Sequence, residues 1–191
     1  MKKIITAGVT VMALTLAGCS NTNTSKNSTK TTVTKKANIN TDKTVKINKT
    51  STAYGPLKFK LKSIRYETVE NKKSNYTDAE YNISGKLNKK YYRATLNLVL
   101  ENSGTKPIDL SMGTRTYTVD SGIGFPTHGS TEGGALEEVI STLQPKSKIN
   151  FPVYLISNNK FTANHLKISF DGLWGPKDME SIADSGSAEI K

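Results

Sequence analysis

The strongest constraint on the fold is the alternation that runs from Tyr92 to Glu101. Tyr92, Ala94, Leu96, Leu98 and Leu100 share one parity, while Arg93, Thr95, Asn97 and Glu101 share the other. Successive side chains of a strand point to opposite faces, so this segment reads as a strand with one apolar and one wet face. Asn102-Ser103-Gly104 ends it with turn residues. The pattern recurs along the chain. Val45 and Ile47 alternate with Lys46 and Asn48. After Tyr54-Gly55-Pro56, Leu57, Phe59 and Leu61 alternate with Lys58, Lys60 and Lys62, and Pro56 suits the first position of a strand. Ile64 and Tyr66 continue that strand after a break in phase.

Later segments are shorter. Thr114 to Val119 is a β-branched and aromatic run, and Asp120-Ser121-Gly122 makes a hairpin turn into Ile123 to Phe125. Leu143-Gln144-Pro145-Lys146 is a turn leading into Ile149, Phe151, Val153 and Leu155. Leu166, Ile168 and Phe170 alternate with Lys167 and Ser169, and Asp171-Gly172 closes the run. Helical periodicity is scarce: Ala135 to Ile140 and Lys177 to Ala183 are each long enough for a turn or two. About seven short strands with no βαβ rhythm predict an all-β antiparallel sandwich over residues 42–191.

Several of these segments resemble the telokin-like, immunoglobulin-like domain family of unknown function found on lipoproteins of Gram-positive bacteria. Thr44-Val45-Lys46-Ile47 with Gly55 to Ile64 is similar to its opening hairpin. Tyr92 to Ile108 is similar to its alternating strand, Asn-x-Gly turn and Pro-aliphatic strand opening. Leu143-Gln144-Pro145 with Phe151, and His165 to Phe170, are similar to its late proline turn and last strand. The resemblance spans most of residues 42–171 and implies an immunoglobulin-like sandwich, with no catalytic residue to carry over. It departs from the family at Lys146, where a glycine usually follows the proline. Residues 71–90 read as an insertion, and the tail from Trp174 has no counterpart.

The first eighteen residues have a different character. Lys2 and Lys3 precede a fourteen-residue uncharged apolar stretch, Ile4 to Ala17. That is short for a membrane span, which needs roughly 20 apolar residues, and fits a signal-peptide core. Leu16-Ala17-Gly18-Cys19 follows. It resembles the lipobox of bacterial lipoproteins. There, small residues admit the peptidase, and the cysteine thiol takes a diacylglyceryl group before cleavage. The resemblance implies cleavage between Gly18 and Cys19, lipidation of Cys19, and anchoring on the outer face of the cytoplasmic membrane. Cys19 is the only cysteine, so the rest of the chain carries no disulfide. Of the 22 residues from 20 to 41, 15 are Ser, Thr or Asn and four are Lys (Lys26, Lys30, Lys35, Lys36). Such a segment buries too little to offset its ordering entropy, and residues 19–41 are predicted to be a disordered tether.

The formal charge of +11 divides unevenly. Residues 42–191 hold 21 basic and 16 acidic residues, a net of +5. With only three arginines and no recognition motif, this argues for a lysine-rich surface facing anionic lipid or wall polymer, and not for nucleic acid.

Chemistry-bearing constellations are sparse. His128 lies four residues before Glu132 and near Glu137 and Glu138, but a metal site needs a further convergent ligand. Ser130 beside it lacks a nucleophile elbow. His165 opens a strand and is expected to be exposed. Asp171, Asp178 and Glu180 surround Trp174 without a calcium-loop pattern. No metal or cofactor is predicted. Tyr91 and Trp174 are the candidate binding-surface residues. Tyr91 would form an aromatic platform with Tyr92, Tyr76 and Tyr81, and Trp174 would be an exposed anchor. The competing reading puts Trp174 at the end of the core. The expected function is a non-enzymatic, lipid-anchored module presenting a surface to a protein or cell-wall polymer. The alternative is a small extracytoplasmic enzyme acting on cell-wall material.

Overall fold

The computed structural model describes residues 39–70, 87–127, 133–138 and 140–191. The signal segment, Gly18, Cys19, Tyr76, Tyr81, His128, Ser130 and Glu132 lie outside the described residues. So do the tether as far as Asn38 and residues 71–86 of the insertion.

Among the described residues every regular element is a strand. In chain order they are β1 (Ile39–Thr50), β2 (Leu57–Glu70), β3 (Lys90–Asn102), β4 (Ile108–Asp109), β5 (Arg115–Val119), β6 (Gly124–Pro126), β7 (Gly133–Glu137), β8 (Thr142–Leu143), β9 (Lys148–Ser157), β10 (Leu166–Phe170), β11 (Leu173–Trp174), β12 (Ser181–Ala183) and β13 (Gly186–Ile190). They form a five-stranded sheet in the order β1-β2-β3-β9-β7 and two four-stranded sheets, β13-β10-β5-β6 and β12-β11-β4-β8. All pairings are antiparallel. The chain is an all-β sandwich.

Periodicity explains the layers. In β3, Ala94, Leu96, Leu98 and Leu100 are all essentially buried, whereas Asn97 is exposed. The register sets Leu98 opposite Leu61 of β2 and Phe151 of β9, so apolar residues meet apolar residues across three strands. Leu166, Ile168 and Phe170 of β10, Tyr117 and Val119 of β5, and Ala188 and Ile190 of β13 supply the facing half of the same core. Phe59 meets Phe170 across the layers with ring centroids 5.9 Å apart, and Tyr54 stacks on Phe170 at 4.4 Å.

The break in phase in β2 is a bulge. The β2–β3 register shifts between Leu61 and Ser63. The extra residue returns Ile64 and Tyr66 to the face already taken by Leu57, Phe59 and Leu61. It leaves Lys62 and Ser63 together on the outer face.

The structure departs from the sequence expectations in its short elements. The two segments with room for helical turns are not helical. Ala135 sits in β7 opposite Leu155, with its side chain in the core. Residues 175–180 form the turn between β11 and β12, closed by Gly175 N–H donating to the Glu180 carbonyl at 2.8 Å. Asp178 and Met179 stand there at φ 55° and 51°. β1 begins at Ile39, pairing with Val69, three residues before the expected domain start. The described strands outnumber seven through β7, β13 and the four two- and three-residue pieces of the β12-β11-β4-β8 sheet, which are too short to alternate visibly. The tail after Trp174 belongs to the fold: β13 pairs with β10, and its outer edge is met by Thr52, whose N–H donates to the Glu189 carbonyl at 2.8 Å.

The proline turn has its own signature. Lys146 has φ 56°, the left-handed conformation that favours glycine. Lysine therefore stands at a position where glycine would fit best.

Candidate binding surface

The two aromatic candidates are not brought together. Tyr91 is 1% exposed and belongs to a second apolar cluster with Val69 and Ile156, packed by Leu87 and Leu136. These residues have outward parity, so the five-stranded sheet is covered on both faces at that end. Tyr92, of the opposite parity, packs against the main core. Tyr91 is therefore a packing residue and presents no binding surface. Trp174 is half-buried in the β12-β11-β4-β8 sheet, and its ring lies on Gly113 and Gly172. A β-carbon at Gly113 would come within 2.3 Å of that ring, so both glycines are required by the close approach. Trp174 is not among the residues of the main core or those packed against it; its ring contacts are with the two glycines.

Three of the acidic candidates, Asp171, Glu180 and Glu137, are committed to other side chains or to the backbone. Asp171 accepts from Thr114 N–H and Oγ1, and Glu180 pairs with Lys106. Glu137 of β7 accepts from Arg115 Nε at 2.7 Å and Tyr117 Oη at 2.6 Å, linking the two layers through a nearly buried ion pair. Burial works against the Arg115 charge, but Glu137 more than offsets it and holds the guanidinium pKa above its ordinary value. Burial, reinforced by the Glu137 charge, pushes the Tyr117 hydroxyl well above its usual range. Among the described residues no group of three His, Cys, Asp or Glu is placed to hold a metal.

His165 is 67% exposed, as expected of a strand opening, but it is held. Asp120, in the β5–β6 turn, accepts from the N–H groups of Asn164 at 2.8 Å and His165 at 2.7 Å, and from His165 Nδ1. Burial would raise the Asp120 pKa; these bonds outweigh it and lower the pKa below the ordinary value. The arrangement ties the β5–β6 hairpin to the entrance of β10. It resembles a two-thirds triad, but among the described residues no hydroxyl or thiol nucleophile bonds the imidazole.

The outer face of the five-stranded sheet differs from all of these sites. At the bulge, Lys62, Ser63, Asn97, Leu98, Asn150 and Pro152 line a shallow groove of about 380 Å³. Asn97 Nδ2 donates to Ser63 Oγ at 2.8 Å, and Lys62 Nζ reaches Asn150 Oδ1 at 3.4 Å. Lys58 and Lys60 continue the row along β2, and Lys46 lies beside Ser63 on β1. With Arg65, Arg93 and Lys148, this face carries seven basic side chains among the described residues. Its acidic residues among those described are Glu67, held by Arg93 and Arg65, and Glu101, held by Lys148. The resulting net of +5 equals the net charge of the whole segment 42–191.

No protein-family model matches the chain, and no curated protein matches it. Several solved structures are similar to it, among them the following three. A functionally unknown protein from Listeria monocytogenes EGD-e aligns over 69% of this chain and 75% of its own, with 11% identity and a TM-score of 0.47. An uncharacterized β-sandwich protein from Clostridium difficile 630 aligns over 72% and 88%, with 12% identity and a TM-score of 0.35. A FixG-related protein from Vibrio parahaemolyticus aligns over 70% and 95%, with 12% identity and a TM-score of 0.28.

Sequence reasoning missed the lysine face as a site. The signal was present: every wet position of the first half of β2 is lysine. It was absorbed into the reading of a solvated strand face, and only the register shows that Lys60 and Lys46 have no acid opposite them while Lys58 faces Glu101.

Proposed function

We propose that the chain is an extracytoplasmic lipoprotein. It is cleaved between Gly18 and Cys19, held on the outer face of the cytoplasmic membrane by diacylglycerol on Cys19, and presents its sandwich as a non-enzymatic binding or scaffolding module. The observation that carries this reading is Leu16-Ala17-Gly18-Cys19 after an uncharged apolar stretch, with the chain's only cysteine at the position the lipobox requires. Two acyl chains on one residue anchor stably where one chain is marginal, at about 0.8 kcal/mol per buried methylene. The polar segment before β1 supplies reach. We further assign the sandwich to the telokin-like, immunoglobulin-like kind. Support comes from the Asn102-Ser103-Gly104 turn after β3, from Ile108 opening β4, and from the positive φ of Lys146 at the family's glycine position. The binding role is favoured over hydrolysis of wall material by the occupation of Glu137, Asp171 and Asp120 in structural hydrogen bonds. The test is Cys19→Ser: serine cannot form the thioether, so the variant should leave the membrane fraction. Retention of the variant with the membrane in detergent partition would refute the anchor.

A further inference from the structure

We propose that the outer face of the five-stranded sheet docks a linear phosphodiester polyanion, laid along β2 with successive phosphates on Lys58, Lys60 and Lys62. That this polymer belongs to the cell envelope rests on the extracytoplasmic reading above; the docking geometry does not.

Four observations carry the proposal. First, Lys58, Lys60 and Lys62 are exposed on one face of one strand, so their stems stand about 6.7 Å apart in a line. A row of cations matches a chain of repeating charges better than a single anion. Second, among the described residues Lys58, Lys60 and Lys46 make no ion pair, although Glu101, itself paired with Lys148, stands opposite Lys58 in the register. Third, the bulge re-aims Lys62 and sets Ser63, Asn97 and Asn150 around the groove at its foot. These neutral donors and acceptors suit the ester oxygens and hydroxyls between phosphates. Fourth, the outer face of the β13-β10-β5-β6 sheet is different: Lys167 stands opposite Glu189 and Thr118, and Ser169 opposite Ser187 and Thr116. One lysine there meets one acid, whereas the three lysines of the β2 row have Glu101 alone opposite them, so the asymmetry between faces does not follow from composition alone.

The polymer need carry no bases. Single-stranded nucleic acid is held by aromatic side chains on which bases stack. Tyr154, on β9, lies under the Arg93 guanidinium at 6.0 Å.

The experiment uses the purified full chain in a non-ionic detergent, so that binding is read whether or not Cys19 carries lipid. The probe is a synthetic poly(glycerol phosphate). Comparison probes are vesicles of phosphatidylglycerol with phosphatidylcholine, and single-stranded DNA. The Lys58→Gln/Lys60→Gln/Lys62→Gln variant should lose about five-fold in affinity per lysine, on the order of a hundred-fold in all. Binding should also weaken steeply with salt. Lys167→Gln/Lys177→Gln/Lys191→Gln, with the same change in net charge, should stay within a few-fold of the wild type. Both variants should melt with the wild type, since all six side chains are exposed. Equal loss in the two variants would show a net-charge effect and overturn the proposal. Failure of the wild type to bind the polymer would do the same, as would tighter binding to the vesicles or the DNA. None of these outcomes depends on the fate of Cys19→Ser, so the anchor and the docking face fail separately.

Discussion

Removing the Glu137 carboxylate should be among the most destabilising single changes in the sandwich. Arg115 and Glu137 side chains are each 10% exposed. Glu137 accepts from Arg115 Nε and Nη2 and from the Tyr117 hydroxyl, while Arg115 Nη2 also donates to the Leu110 carbonyl at 2.9 Å. In Glu137→Ala the guanidinium keeps only that carbonyl and the fully buried tyrosine loses its acceptor. Breaking a buried pair by removing one partner costs about 3–5 kcal/mol, because the surviving charge is left uncompensated. The tyrosine adds part of a further ~1–3 kcal/mol, less than additively because the three groups form one network. We expect a loss of about 4 kcal/mol in urea unfolding with an unchanged m-value. At roughly 2–4 °C per kcal/mol for a domain of this size, melting should fall by about 10 °C or more. The control is Arg115→Met/Tyr117→Phe/Glu137→Leu, which removes the whole network and should fall much closer to the wild type. A Glu137→Ala loss below about 1 kcal/mol, or an equal loss in the apolar triple variant, would refute the reasoning that an uncompensated charge dominates.

Three further outcomes follow from the geometry. Leu98→Ala should cost about 2–5 kcal/mol by denaturant unfolding, and Asn97→Ala less than half as much; equal losses would break the register of β3. Lys146→Gly should raise stability by about 0.5–1 kcal/mol, because relief of a left-handed β-carbon, roughly 1–2 kcal/mol, exceeds glycine's extra unfolded-state entropy; a lower melting temperature would show that the Lys146 bond to the Ser103 carbonyl matters more. Asp120 has its folded pKa lowered, so its contribution is present above the ordinary carboxylate pKa and is lost as pH falls through the folded value. Asp120→Asn should therefore be less stable than the wild type at neutral pH, with the gap closing in acid; a gap that widens on acidification would contradict the assignment.

The layers were legible because alternation is a local property. A strand with one wet face writes its parity into consecutive residues, and β2, β3, β9 and β10 all did so. The phase break after Leu61 was visible too, although only the register identifies it as a bulge. What stayed hidden depends on pairing between distant segments. Tyr91 reads as outward from parity, and its burial follows from a second cluster on the outer side of the sheet. The β12-β11-β4-β8 sheet draws two or three residues from each of four separated segments, too few for any period to register. The link of Arg115 to Glu137 joins residues 22 apart on opposite layers, and no local pattern announces it. The lysine face was readable as composition and became a candidate site only when the register showed a single acid, Glu101, opposite the row.

The account's central claim is that Cys19 is the modified first residue of the mature protein. Mass spectrometry of the N-terminal peptide, recovered from the membrane fraction of producing cells, tests it most directly. The account predicts a peptide that begins at Cys19 and carries the mass of a diacylglyceryl group, and its loss in Cys19→Ser. A mature chain that begins at another residue, or one that contains Cys19 with a free thiol, would contradict it.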